Sequence, residues 1–333
     1  MSLHIGLCFD LRSAYLAEGF SEEETAEFDK EDTIIALEEA LASLGHNSER
    51  IGHARQLTAA LVAGKRWDLV FNIAEGLDGI GREAQVPALL DLYRIPYTFS
   101  DPLVMCLTLH KGMCKAVLRD AGVATAPSMV VSDAKTMPEP AFAAPYFIKP
   151  VAEGTGKGIT PQSIVTKSAD LPHACATLIA RFQQPVLVEP YLCGREFTTG
   201  ITGTGAEAEL LGTMEVLLNS EAEPGVYSYG NKENWQSRVQ YRFIRPDEDA
   251  VVAEAEAVAL SAWRVLGCRD GGRVDLRCDA AGKTLFMEVN PLAGLHPSHS
   301  DLPILCGLAG ISYQQLISRI VCSARKRCFS ERR

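Results

Sequence analysis

The ten cysteines include no C-x-x-C pair and no Cys/His spacing suited to zinc, which leaves reduced core thiols as their reading. No stretch reaches the roughly 18 consecutive apolar residues that a membrane helix needs. The opening "MSLHIGLCFDL" has no basic region ahead of an apolar run. The expectation is a chain that stays in the cytoplasm, with no membrane partner and no disulfides. Basic charge is also in short supply. Forty-two acids against thirty-two bases give a net charge of −10, which opposes condensation on phosphate backbones, so no nucleic-acid partner is expected. There are no internal repeats and no low-complexity tracts.

At 333 residues the chain exceeds a typical single domain, and its 47% apolar content is enough for more than one core. "LHIGLCFD" and "WDLVFNIA" read as buried strands. Between them "DTIIALEEALASLGH" has helical spacing, with Gly45 as its stop. "EAQVPALLDLYRIPYTFSDP" reads as helix, Pro-marked strand and turn. Strand alternating with helix implies an α/β lobe with a parallel sheet over residues 1–100. "PLVMCLTLHKGMCKAVLRDAG" reads as one long hinge helix. "APYFIKP", "SIVTKS", "PVLVEPYL" and "REFTTGITG" are short strands around the helix "DLPHACATLIARF". These place a small antiparallel α+β lobe at 101–207. From 208 to 333 a further sheet begins with "AELLGTMEVLL", and the polar stretch "EPGVYSYGNKENWQSRVQY" interrupts it, long enough to serve as a lid. The helix "DAVVAEAEAVALSAWRVLG", the strands "GGRVDLRCD" and "KTLFMEVN", and the helix "SYQQLISRIVCSA" complete the chain.

Three stretches carry chemistry. In "FIKPVAEGTGKGI" a strand ends at Lys149 and leads into a loop whose glycines let backbone N–H groups approach a phosphate. It is not a P-loop, because Lys157 is followed by glycine, and residue 159 is isoleucine, which breaks G-x-G-x-x-G. A glycine hairpin with solvated charges stays an open reading of this stretch alone. "VLVEPYLCGREF" sets Glu189 at a strand end and Glu196 beyond a turn, suited to an amine or ribose hydroxyls, although a surface pair is the commoner fate. In "GGRVDLRCD…LFMEVN", Asp275 and Glu288 can face each other across adjacent antiparallel strands, and Glu288 and Asn290 share a face. Opposed carboxylates repel unless a cation sits between them, and an oxygen-only set suits magnesium rather than zinc.

Taken with "LHKGMCKAVLRDAGVATAP" and "NPLAGL…HS", these stretches, in this order, resemble the ATP-grasp carboxylate-amine ligases of the D-alanine–D-alanine ligase family. The resemblance spans nearly the whole chain. It implies an ATP-grasp fold behind an N-terminal parallel-sheet domain. It also implies ATP and two magnesium ions as cofactors, with Mn²⁺ an alternative, small amino acids as substrates and a homodimer as the assembly. The implied activity joins two amino acids through an acyl phosphate, releasing ADP and phosphate, as in cell-wall precursor synthesis. Carried over by position, Lys111 and Lys149 would bind the ATP phosphates, with Glu153, Gly154, Thr155, Gly156, Lys157 and Gly158 closing over them. Glu189, Tyr191, Leu192 and Glu196 would hold adenine and ribose; Asp275, Glu288 and Asn290 would hold the metals. Arg273 would steady the transferred phosphate, Gly294 would offer its N–H to the tetrahedral intermediate, and Ser300 would receive the second substrate's carboxylate.

The amino-acid pockets depart from the family pattern. No Gly-Gly turn follows the first strand; Asp29 is the nearest candidate for the substrate ammonium, with Glu27 and Glu31 behind it. A solvated acidic cap is the plain alternative for each. Lys232 is followed by Glu233 where relatives have Lys-Tyr, which makes Glu233 a substrate-contact candidate with its carboxylate beside the amine-donor pocket, and Thr155 replaces the serine that pairs with that tyrosine. "FNIAEGLDGIGREAQVP" keeps part of the family's His-Gly pattern, with Glu75 and Arg82 as candidates for related work. His296 and His299 read better as substrate-loop contacts than as metal ligands. Two other functions stay open: a relative forming a different amide or dipeptide in specialised metabolism, and a nucleotide-binding regulatory protein without turnover.

Overall fold

The computed structural model describes residues 2–329, apart from the side chain of Glu233. The expected parallel sheet is β1 (His4–Cys8), β2 (Asn47–Gly52) and β3 (Leu69–Asn72), in the order β2-β1-β3. Its neighbouring helix, Glu31–Ser43, buries Ile34, Leu37 and Leu41 at helical spacing and ends before Gly45 at φ +82°. The Pro-marked strand reduces to a single parallel bridge between Val70 and Tyr97.

Four strands form the second sheet: β4 (Met129–Val131), β5 (Tyr146–Pro150), β6 (Ile164–Val165) and β7 (Val186–Pro190), ordered β4-β7-β5-β6. The third sheet holds β8 (Glu196–Thr202), β9 (Glu209–Leu218), β10 (Val239–Ile244), β11 (Gly271–Cys278) and β12 (Thr284–Asn290), ordered β10-β9-β8-β11-β12. Both are antiparallel. Its position in the chain groups the strand "REFTTGITG" with the middle lobe. Its ladder partners are β9 and β11, so β8 lies at the centre of the third sheet.

The hinge is two helices, Pro102–Leu109 and Lys111–Asp120, not one. His110 leaves the helical region at φ −82°, ψ 85°, and its Nδ1 accepts from the Met113 N–H at 3.1 Å, capping the second helix. Propensity and periodicity run straight through this break, which is why the sequence hides it. Its consequence is positional: Lys111 opens a helix at the site instead of lying midway along one.

The first and last parts of the chain share a core. Leu316, Ile317, Ile320 and Val321 of helix Tyr313–Phe329 are buried in one cluster with Ile5, Leu7, Ile34 and Leu37. At about 1.5–3 kcal/mol per large aliphatic side chain removed from water, that packing binds the first sheet to the third. A second core joins helix Ala250–Leu266 to the third sheet through Trp263, Phe197 and Leu276. Among the described residues no single helix is long and apolar enough to cross a membrane.

Candidate active site

The lobes enclose a cleft of about 1300 Å³, its open mouth included. At its floor, β11 and β12 place Asp275 directly opposite Glu288 and Arg273 opposite Asn290, as the period of two requires. Asp275 Oδ1 accepts from Thr198 Oγ1 at 2.8 Å, while Oδ2 accepts from Asn290 Nδ2 at 3.2 Å and from the Arg273 guanidinium. Glu288 Oε2 lies 3.5 Å from Lys149 Nζ and 3.7 Å from Lys111 Nζ. Burial works against its charge, but Lys111 and Lys149, with Lys232 and Arg273 behind them, hold its carboxyl well below the usual range. Two opposed carboxylates and an amide oxygen form a hard-oxygen donor set that fits magnesium, and three side-chain cations stand beside them.

Burial pulls Lys111 below its ordinary value, whereas at Lys149 the attraction of Glu189 and Glu288 outweighs burial and raises it. Lys111 also donates to the Glu153 carbonyl at 2.5 Å, which ties the helix start to the glycine loop. Glu189 is not presented free. Its carboxylate lies 2.6 Å from Lys115 Nζ and 3.7 Å from Lys149 Nζ. Lys115, completely buried, is a residue that the sequence reading missed. The available signal was its spacing of one helical turn from Lys111.

The glycine loop meets both the lid and the first lobe. Gly156 has φ +76°, and a Cβ there would stand 2.8 Å from the Tyr229 backbone nitrogen, so the loop lies backbone to backbone on the lid. Thr155 also adopts a positive φ, 52°, an uncommon conformation outside glycine. The Gly154 N–H donates to Glu27 Oε1 at 2.5 Å, and Glu27 Oε2 is 3.0 Å from Arg82 Nη2, with both side chains at most 7% exposed. Arg82 further donates to the Ala152 carbonyl at 2.9 Å. Lys157 pairs with Glu153 at 2.7 Å. Glu27 and Arg82 thus link the first lobe to the loop, a contact between segments too far apart for local pattern to reveal. Gly158, the last of the loop glycines, has φ +75°.

The lid is more ordered than a plain loop, with short helices Tyr229–Glu233 and Trp235–Arg238. The Glu233 side chain lies outside the described residues. Lys232 sits over the Tyr227 ring at 4.7 Å, and the Tyr227 and Tyr241 hydroxyls are 2.6 Å apart. Both hydroxyls reach Asp301 Oδ1, at 3.3 and 3.2 Å, and Asp301 Oδ2 lies 3.8 Å from Arg273. Tyr227 and Asp301 were also missed; the sequence shows Asp301 only as an acidic residue in the first turn of helix Asp301–Leu308. Ser300 Oγ accepts from the His296 N–H at 3.0 Å, and a Cβ on Gly294 would stand 2.8 Å from that oxygen. His296 Nε2 is 3.0 Å from Asp32, and His299 Nδ1 accepts from Trp235 at 3.2 Å, so these rings pin the loop to the first lobe and the lid.

Between the second and third sheets, where β7 leads into β8, Arg277 lies over the Tyr191 ring at 5.3 Å and 3.3 Å from Glu196. Tyr191 donates to the Gly225 carbonyl at 2.9 Å, which anchors the base of the lid. Leu192 follows in the link between β7 and β8. At the first-lobe end, Asp29, Glu75 and Glu83 line the cleft. Glu31 instead turns to Arg50, 2.5 Å away on the surface. The cleft therefore gathers Lys111, Glu153, Gly154, Thr155, Lys232, Arg273, Glu288, Asn290, Gly294 and Ser300 with Asp29 and Glu75.

Comparison with known proteins agrees with this arrangement. The family model described as D-ala D-ala ligase C-terminus matches residues 117–322. A D-alanine–D-alanine ligase of Bordetella petrii is 33% identical over 292 residues, covering 86% of this chain and 85% of that protein. One from Parvibaculum lavamentivorans is 34% identical over 289 residues, covering 85% and 88%. The crystal structure of D-alanine–D-alanine ligase from Bacillus anthracis complexed with ATP shares the fold, with a TM-score of 0.73 over 99% of this chain and 100% of that one at 21% identity. On the family model and these relatives together, the chain belongs to the D-alanine–D-alanine ligase family and is an ATP-dependent ligase.

Proposed function

We propose that the enzyme joins two amino acids by activating the carboxylate of one as an acyl phosphate. The carrying observation is the pair Asp275 and Glu288, opposed in one ladder and flanked by Arg273, Lys111 and Lys149. A carboxylate is a poor electrophile. Its oxygen attacks the γ-phosphorus of ATP, the bond to the β-phosphate oxygen breaks, and ADP leaves. The neutral amine of the second amino acid then attacks the acyl carbon, the carbon–oxygen bond to phosphate breaks, and the amine proton passes to solvent.

Asp275, Glu288 and Asn290 would hold two magnesium ions, with Mn²⁺ an alternative, and these supply charge neutralisation at the phosphates. Lys111 and Lys149 bind the phosphates together with loop amides from Glu153 to Gly158. Glu189, Tyr191, Leu192 and Glu196 form the nucleoside side, with Lys115 and Arg277 fixing the two glutamates. Arg273 stabilises negative charge as the phosphoryl group moves, and Gly294 donates its N–H to the tetrahedral intermediate. Ser300 receives the acceptor's carboxylate, Asp29 the donor's ammonium, and Lys232 and Thr155 close the site against water. A homodimer accompanies this reading.

The test is amino-acid-dependent ADP release across a panel of D- and L-amino acids. Stimulation by a pair of amino acids, with stoichiometric phosphate and peptide, supports the reading. ATP binding without stimulation by any amine would replace it with the regulatory alternative. D-Alanine with D-alanine is the reference pair, and preference for another pair would identify the specialised relative.

A further inference from the structure

We propose that the donor amino acid carries a second cationic group, beyond its α-ammonium, seated against Glu75 and Glu83 at the first-lobe end of the cleft. This rests on the ligase reading above and names the substrate class of that site.

Three carboxylates line this end from three separate elements: Asp29 ahead of helix Glu31–Ser43, Glu75 after β3, and Glu83 in the short turn Arg82–Ala84. Glu83 is only 9% exposed, yet among the described residues neither its carboxylate nor that of Glu75 makes a hydrogen bond or an ion pair with the protein. Of the nearby cations, Arg82 pairs directly with Glu27, Lys111 lies beside Glu288, and Arg12, itself buried, pairs with Glu22 and leaves its Nε without a hydrogen-bond partner; Arg82 and Lys111 attract Glu83 through space without a direct ion pair. An amino acid's α-ammonium answers one carboxylate and leaves two.

A buried carboxylate without a partner is costly, and several together more so, because each raises the energy of ionising the next. Without a ligand, protons carry part of that burden: burial pushes Glu83 up to about 7 against the pull of Arg82 and Lys111, burial and then Asp10 and Asp32 push Asp29 up to about 8, and burial with Glu83 and Glu27 raises Glu75 well above the usual carboxylate range. A ligand ammonium or guanidinium replaces those protons with a fixed charge and supplies the hydrogen-bond donors that both glutamates lack. Plain alanine has nothing to place there. An α-amino acid with a short cationic side chain reaches both ends: its carboxylate meets the phosphate-binding lysines while its side chain meets Glu75 and Glu83.

The experiment measures ATP-dependent hydroxamate formation, with hydroxylamine trapping the acyl phosphate, for the full chain with Mg²⁺. Donors are alanine, 2,3-diaminopropionate, 2,4-diaminobutyrate, ornithine, lysine and arginine, each in both hands. At least one cationic donor is expected to exceed alanine of the same hand by tenfold or more in kcat/KM. Glu75→Gln and Glu83→Gln are each expected to narrow that ratio at least tenfold. Alanine used as well as every cationic donor overturns this inference and leaves the ligase reading standing. So does a ratio unchanged in both variants. If no amino acid gives hydroxamate or ADP, the ligase reading and this inference fall together. The wild-type ranking alone decides the matter if either variant fails to fold.

Discussion

Removing Lys115 exposes the cost of a buried charge most clearly. The side chain is completely buried, its Nζ lies 2.6 Å from Glu189 Oε2, and it donates to the Phe286 carbonyl at 3.3 Å. Lys115→Met keeps the volume and deletes the charge, leaving Glu189 with Lys149 alone, 3.7 Å away. Breaking one side of a buried pair costs about 3–5 kcal/mol, whereas replacing both partners is often close to neutral. At about 1.4 kcal/mol per tenfold, the single variant lowers the folded-to-unfolded ratio by at least roughly a hundredfold. Adding Glu189→Gln should restore about 1–3 kcal/mol relative to the sum of the two single changes. Urea unfolding measures all four proteins, followed by far-UV circular dichroism and by tryptophan fluorescence, since Trp67 and Trp263 are buried in different cores. The effect also has a pH signature. Burial works to raise Glu189, but Lys115 and Lys149 outweigh it and hold its pKa below 4.5. A depressed carboxyl pKa stabilises above the unfolded value and ceases to do so as pH falls through the folded one. The gap between wild type and Lys115→Met should therefore be full at neutral pH and close in acid below 4.5. Additivity of the two changes within about 0.5 kcal/mol would refute the coupling on which this reasoning depends.

Three further outcomes follow from single contacts. Gly156→Ala sets a Cβ 2.8 Å from the Tyr229 nitrogen at φ +76°, so lid and loop no longer seat together; kcat should fall at least tenfold while the melting temperature drops by only about a few degrees, and an unchanged kcat would place loop–lid contact outside the reaction. Asp301→Asn keeps an acceptor for the two tyrosines but removes a charge 3.8 Å from Arg273; at about 1.5–3 kcal/mol for a charged hydrogen-bonding group, kcat should drop roughly tenfold or more, and unaltered kcat and KM would mean that Arg273 needs only Asp275. Asp29, raised from 3.8 to about 8 by burial and by the nearby acids Asp10 and Asp32, contributes stability below 3.8 that is lost as pH rises through 8. Asp29→Asn should therefore gain on wild type in melting temperature between pH 5 and pH 8, and a gap that shrinks over that range would contradict the assigned shift.

The carboxylate face of the ladder was legible because strand alternation is local: once "GGRVDLRCD" and "KTLFMEVN" are adjacent, Asp275 must face Glu288 and Asn290 must share that face. The Gly45 stop after a periodic helix was legible for the same reason. What escaped depends on contacts across long stretches of chain. Glu27 meets Gly154 across 127 residues, and Lys115 meets Glu189 across two elements; neither leaves a periodic trace. The break at His110 escaped because a single side-chain cap, not composition, makes it. β8 was assigned by chain order, whereas its seven-residue ladders with β9 and β11 set its place. Asp301 looked like an ordinary first-turn acid until two tyrosine hydroxyls and Arg273 were found around it.

The proposed role of Asp275 and Glu288 is to organise magnesium-dependent activation of a carboxylate by ATP. The direct measurement is a magnesium titration of amino-acid-dependent ADP release in wild type, Glu288→Gln and Asp275→Asn, with folding checked by circular dichroism. Saturable activation is expected in the wild type, with loss of at least a hundredfold in both variants, each of which retains its shape but not its charge. Wild-type rates and an unchanged magnesium midpoint in either variant would contradict it.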